Sequence, residues 1–145
     1  MNTKRLLKLA KFLDKLPPNR FDNQNWWTGT KPKHEDDYDY FTINDKGKAC
    51  AGGWACTIPE FMKAGLGVNG PQFTNDVSAP IFEGKIGFEA LAEFFDIDVE
   101  HIRCIFSEYA YTKAPKPKDV AARIRAFIEV DKASTKRLKK YEKSV

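Results

Sequence analysis

No stretch of this chain stays apolar for the ~18–20 residues that a helix needs to cross a bilayer. The basic opening, MNTKRLLKLAKFLDKL, is broken by lysine every few residues, so it lacks the continuous apolar core of a secretory signal. Histidine occurs twice and cysteine three times, as Cys50, Cys56 and Cys104. An odd number of cysteines in a chain without a signal segment predicts reduced thiols. Free cysteine ordinarily packs as a small hydrophobe. A phosphate loop is missing too, because LGVNG at residues 66–70 lacks the glycine-lysine-serine/threonine ending. Serine elbows, paired-carboxylate signatures and kinase motifs are likewise absent from the sequence.

Net charge is small over most of the length. The net charge is +4, and the excess sits at the end. Residues 132–145 hold Lys132, Lys136, Arg137, Lys139, Lys140 and Lys143 against Glu142 alone, so the body is close to neutral. That distribution argues against a globally basic nucleic-acid face. The tail can still meet phosphates or an acidic partner.

What is present is ample apolar material. Hydrophobic residues make up 42% of the 145 and aromatic residues 13%, enough for one core in one domain. Leu6, Leu9, Ala10, Leu13 and Leu16 recur at spacings of three and four, which predicts a helix over residues 3–16. Asn2 or Thr3 can cap it, and Pro17-Pro18 stops it. Residues 17–47 show no steady period, yet hold Phe21, Trp26, Trp27, Tyr38, Tyr40 and Phe41. So many rings predict a long loop ordered against the body. DYDYFTI within it alternates like a short strand, and Glu35, Asp36, Asp37 and Asp39 read as a solvated acidic face.

From Ala49 to Ala64 the pattern predicts helix in two pieces, the second opening at Pro59 and stopping at Gly65. A loop or hairpin region follows. Residues 87–106 predict a helix from Phe88 to Phe95, a tight turn at Asp96-Ile97, and a second helix capped by Asp98 and ending at Phe106. The last helix starts near Pro117, with Val120, Ile124, Phe127 and Ile128 as its buried stripe.

Three features bear on function. The first is KACAGGWACTIPEF, residues 48–61. A metal site needs about four ligands, and Cys50 and Cys56 lack zinc-knuckle spacing. A nucleophilic Cys50 needs a base, with His34 and His101 as candidates. The simpler reading is that Gly52 and Gly53, at about 1 kcal/mol of helix propensity each, allow close backbone packing while Trp54 fills the core. The second feature is the helix pair at 88–106, whose spacing resembles DNA-reading units. Its second helix presents Glu100, His101, Arg103 and Ser107, a poor set for phosphates. The third is a set of loop aromatics and cations: Trp26, Trp27, Tyr109 and Tyr111 near Arg20, Lys31, Lys33 and Lys113. Rings with cations can stack on and neutralise a nucleotide.

KLAKFLDKLPPNRFD, CAGGWACTIPEF, ALAEFFDI and PKPKDVAARIRAFI, spread over residues 4 to 128, together resemble a family of small uncharacterised proteins of bacteriophage and bacterial genomes. That family's central block reads cysteine-glycine-threonine, two residues, then cysteine-alanine-any-glycine-tryptophan/histidine-alanine. Cys50, Gly53 and Trp54 match its second half, and Asp45 stands where its first cysteine falls. This departure argues against an essential cysteine pair. The missing signal segment predicts a cytoplasmic location, and the viral origin that the resemblance implies makes it the host's cytoplasm.

These features predict a mainly α fold: one compact helical domain of five or six helices over residues 1–131, with long irregular loops and a short hairpin. A basic tail or helix extension follows over 132–145. The expected function is that of a phage-encoded, non-enzymatic accessory protein binding a host component, a nucleotide-like immune signal in the sharpest version. Its expected ligand-binding residues are Arg20, Trp26, Trp27, Trp54, Tyr109, Tyr111 and Lys113, without catalytic residues, metal or cofactor. A small DNA-binding regulator working through Arg103 and the tail is the alternative, and a cysteine-dependent enzyme the second. The partners implied are a nucleotide-like small molecule or a host protein, and not a membrane; a homo-oligomer is compatible.

Overall fold

In the computed structural model the opening helix, α1 (Thr3–Lys15), buries Leu6, Leu9, Ala10 and Leu13 on one stripe. The Asn2 side chain accepts from the Arg5 amide and caps it. Residues 1–28, 43, 47–68 and 79–144 are described. The alternating DYDYFTI piece apart from its last residue, Ile43, the acidic cluster, His34, Lys31, Lys33 and Asp45 lie outside them.

The fold is mainly α, with six α-helices among the described residues and a small antiparallel sheet. After α1, a 3-10 turn at Pro18–Arg20 leads into an extended strap. Then come two five-residue helices, α2 (Ala51–Ala55) and α3 (Pro59–Lys63). Pro59 takes the first turn of α3 as its missing N–H predicts, and Gly65, at φ 106°, ends that segment. Strands β1 (Gly67–Val68), β2 (Pro80–Phe82) and β3 (Lys85–Ile86) pair antiparallel in that order, which enlarges the expected hairpin by one strand.

Helices α4 (Phe88–Phe95) and α5 (Val99–Phe106) have the bounds expected from their pattern. Between them Asp96 adopts a left-handed conformation (φ 54°, ψ 55°), and the Asp98 carboxylate accepts from the Glu100 amide to start α5. The final helix, α6 (Pro117–Ser144), continues through the basic tail. Its first four turns bury Val120, Ala121, Ile124 and Ile128, while residues 129–142 are exposed.

The core lies where α1 and α6 pack on α4 and α5. Phe61, Phe82, Phe94, Phe95 and Phe106 meet there, mostly edge to face, with centroids 4.9–5.9 Å apart. Arg5 locks α1 onto α4, donating to the Phe94 carbonyl at 2.7 Å with its guanidinium 4.1 Å from the Phe94 ring centroid.

Candidate functional site

Residues 21–28 form a strap sewn onto residues 47–50. Phe21 bridges Ala49 in parallel and Thr28 bridges Lys48 antiparallel. The Asp22 amide donates to the Ala49 carbonyl, and the Cys50 amide to the Asn25 carbonyl, each at 3.0 Å. The Asp22 carboxylate tightens the turn by accepting from the Gln24 amide and from Asn25 Nδ2, each at 3.0 Å. The DNQN run therefore becomes a rigid, amide-rich turn.

This strap can sit so close because of the paired glycines in α2. A Cβ on Gly53 would collide with the Trp26 backbone carbonyl, and one on Gly52 would stand 2.6 Å from the Trp26 ring. The glycines thus act as a packing node, as their small size implied. Trp26 then leans on Phe88, centroid to centroid 5.1 Å.

A cleft of about 360 Å³ opens between the strap and the end of α5. Asn23, Gln24, Asn25 and Trp27 line the strap side. Trp26, Phe88 and Phe106 form apolar walls, with Cys50 at the junction with α2. Ser107, Glu108 and Tyr109 form the opposite rim. Ser107 caps its own 3-10 turn by accepting from the Tyr109 amide at 3.2 Å. That turn holds the Tyr109 ring 90% exposed. The Asn23 side-chain amide is the reverse: its Oδ1 and Nδ2 are shielded from solvent, and neither has a hydrogen-bond partner among the described residues. An unpaired buried amide is costly, of order 1–3 kcal/mol.

The thiols have settled, buried environments. Cys50 stands before α2, where the Gly52 and Gly53 amides favour the thiolate, yet burial outweighs them and pushes its pKa to about 11. Cys56 is fully buried, and burial raises its pKa further still. Cys104 is exposed, and all three are free. His101 leans on Phe127, centroids 5.1 Å apart, and does not line the cleft. Among the described residues, no three His, Cys, Asp or Glu side chains are grouped to hold a metal.

Of the seven residues expected to bind ligand, Trp26, Trp27 and Tyr109 come together in this cleft. The other four do not line it. Trp54 is buried, donating from Nε1 to the Arg20 carbonyl at 2.9 Å. The Arg20 guanidinium lies 5.2 Å from that indole's centroid and donates to the Gly47 carbonyl at 2.8 Å. Tyr111 donates to the Ile105 carbonyl at 2.6 Å beneath the Arg123 guanidinium, 3.7 Å from its centroid. Lys113 is exposed on the loop beyond. Sequence reasoning did not single out Asn23, Gln24, Asn25, Phe88 or Glu108 as site residues. The amide run between Phe21 and Trp26 was the available signal.

No family model, curated protein or solved structure matches this chain.

Proposed function

We propose that this is a non-enzymatic binding protein whose cleft takes the heteroaromatic base of a nucleotide-like small molecule. The observation that carries the reading is the Asn23 amide, shielded from solvent and unpaired on both its donor and acceptor ends. Asn23 lines the cleft, and with its side chain turned into it such an amide matches the paired donor and acceptor on the edge of a nucleobase. The exposed Tyr109 supplies a ring face at the rim of the opening, and stacking on such a ring contributes about 1–3 kcal/mol per base. The cleft's volume falls within the range of small-molecule sites.

A binding role also fits the state of Cys50, whose raised pKa keeps it a neutral thiol near pH 7. In the setting implied by the phage-like sequence blocks, the protein is an accessory factor that sequesters a host nucleotide signal. The test is a tryptophan-fluorescence titration with a panel of linear and cyclic nucleotides. Saturable quenching by at least one of them is expected; unchanged emission across the panel would end this reading.

One observation favours a second reading, attraction to nucleic acid. Lys132, Lys136, Arg137, Lys139 and Lys140 lie on the solvent-exposed end of α6. Helix α5, by contrast, sets Arg103 among Glu100 and Asp98, which weakens a base-reading role. The contact supported is therefore a non-specific one between α6 and phosphate backbone.

A further inference from the structure

Phe88 is a wall shared by two concavities. On one side lies the amide and aromatic cleft. On the other lies a shallower basin of about 370 Å³, bordered by Gly84, Lys85, Ile86, Glu89 and Arg103. Three side chains run in sequence across the divide: Trp26 stands 5.1 Å from the Phe88 centroid, and the Arg103 guanidinium 5.8 Å from the same ring.

The two cations of the basin are not equivalent. Lys85 is occupied, with its ammonium 2.8 Å from the Glu93 carboxylate. Arg103 is exposed, and apart from resting over Phe88 its side chain makes no hydrogen bond or ion pair with the described residues. All five guanidinium donors are therefore available in a fork that suits a phosphate. The amide cleft, by contrast, has no cation among its described lining residues and carries Glu108. An anionic group on a ligand seated there is not neutralised within it. Phe88 borders both concavities, so a ligand that reaches past its ring from the cleft enters the basin that Arg103 borders.

We infer that Arg103 is the phosphate-binding residue of this site, so that the ligand is a mononucleotide with its base in the Asn23 cleft and its phosphate over Phe88. This rests on the cleft's being a base site. Glu89 borders the same basin and opposes the phosphate charge, which favours one phosphate group over a triphosphate.

The experiment is calorimetric titration of the full chain with adenosine, guanosine and their 5′-monophosphates. It uses the wild type, Arg103→Ala, Arg103→Lys and Glu89→Gln. The matching monophosphate is expected to bind wild type about tenfold or more tighter than its nucleoside, the scale of a charge-assisted hydrogen bond. In Arg103→Ala the ratio of monophosphate to nucleoside affinity should fall to about one, whatever the nucleoside affinity itself. Arg103→Lys should restore part of it, and Glu89→Gln should enlarge it. If nucleosides bind but their monophosphates bind no better, or Arg103→Ala keeps the advantage, the phosphate assignment is overturned and the base site stands. If neither class binds, the base site fails, and this inference fails with it.

Discussion

The carbonyl oxygen of Trp26 occupies the space that a Cβ on Gly53 would need. Two segments far apart in sequence are thereby joined backbone to backbone, and the cleft depends on that junction. Gly53→Ala cannot be absorbed by a rotamer change, because the obstacle is main chain. It should cost about 3 kcal/mol, the upper range for overpacking, and Gly52→Ala less, because there the Trp26 ring and the Leu91 methyl can shift. Urea denaturation of the two variants checks the order. Equal, negligible losses would mean that the strap does not sit on α2.

Most helices were legible because their local signals agree with their packing. The α4–α5 pair carries apolar residues at helical spacing, a cap at Asp98 and a turn at Asp96, so nothing tertiary contradicts the pattern. The strap was not legible in the same way. Its shape comes from pairing with residues 47–50 and from the space left by two glycines, which no periodicity reports. Arg20 and Trp54 illustrate the limit: a cation and a ring near one another look alike in sequence whether they await a ligand or satisfy each other. Here they contact each other. Nothing in the sequence marks Asn23, whose significance lies in what it lacks among the described residues, a partner.

Removing that unpaired amide should separate stability from binding. Asn23→Leu deletes two buried unpaired atoms, so it should leave the melting temperature unchanged or raise it. The same variant should lose ligand affinity. Tyr109→Ala, at a ring 90% exposed, should leave stability within about 0.5 kcal/mol while weakening a stacked ligand about tenfold. Thermal melts and titrations on both variants check this. A large stability loss in either would mark the residue as structural.

Thiol reactivity should divide the cysteines by burial. Cys104 should react promptly with a thiol reagent in the native protein, whereas Cys50 and Cys56 should react only on opening of the fold. The raised pKa also sets an alkaline limit. Below the ordinary thiol value of 9.0 both folded and unfolded Cys50 are protonated, so the shift costs nothing. Above it the unfolded thiol ionises first, and stability falls as pH rises from there through about 11. Replacing Cys50 with Ala should flatten that fall, as read by denaturation at pH 8 and pH 10.

The ion pair between α1 and α6 should matter little at neutral pH. Arg125 donates to both Asp14 carboxylate oxygens, at 3.1 and 2.5 Å, and this hydrogen bonding holds Asp14 below its ordinary 3.8. The pair is solvent-exposed, so Asp14→Asn should cost less than about 1 kcal/mol. Its contribution is present above the ordinary carboxylate value and is lost as pH falls through the lowered one. The variant and wild type should therefore converge in stability under acid.

Attraction of the α6 end to nucleic acid should be electrostatic alone. With five exposed cations engaged, the logarithm of affinity for duplex DNA should fall with the logarithm of salt at a slope of about −4 to −5. It should not depend on sequence. Neutralising Lys136, Lys139 and Lys140 together should reduce that slope by about 3, measured by fluorescence anisotropy. A salt-independent or sequence-selective complex would contradict a purely phosphate contact.

The cleft's role is tested most directly by asking what it retains. Purified wild type and Asn23→Leu are incubated in parallel with a bacterial small-molecule extract, washed and denatured, and the released material is read by mass spectrometry. A nucleotide-binding cleft should release a nucleotide from the wild type and far less from Asn23→Leu. Equal release from both, or none from a wild type that is folded and clean while a control binder retains its ligand, would contradict that role.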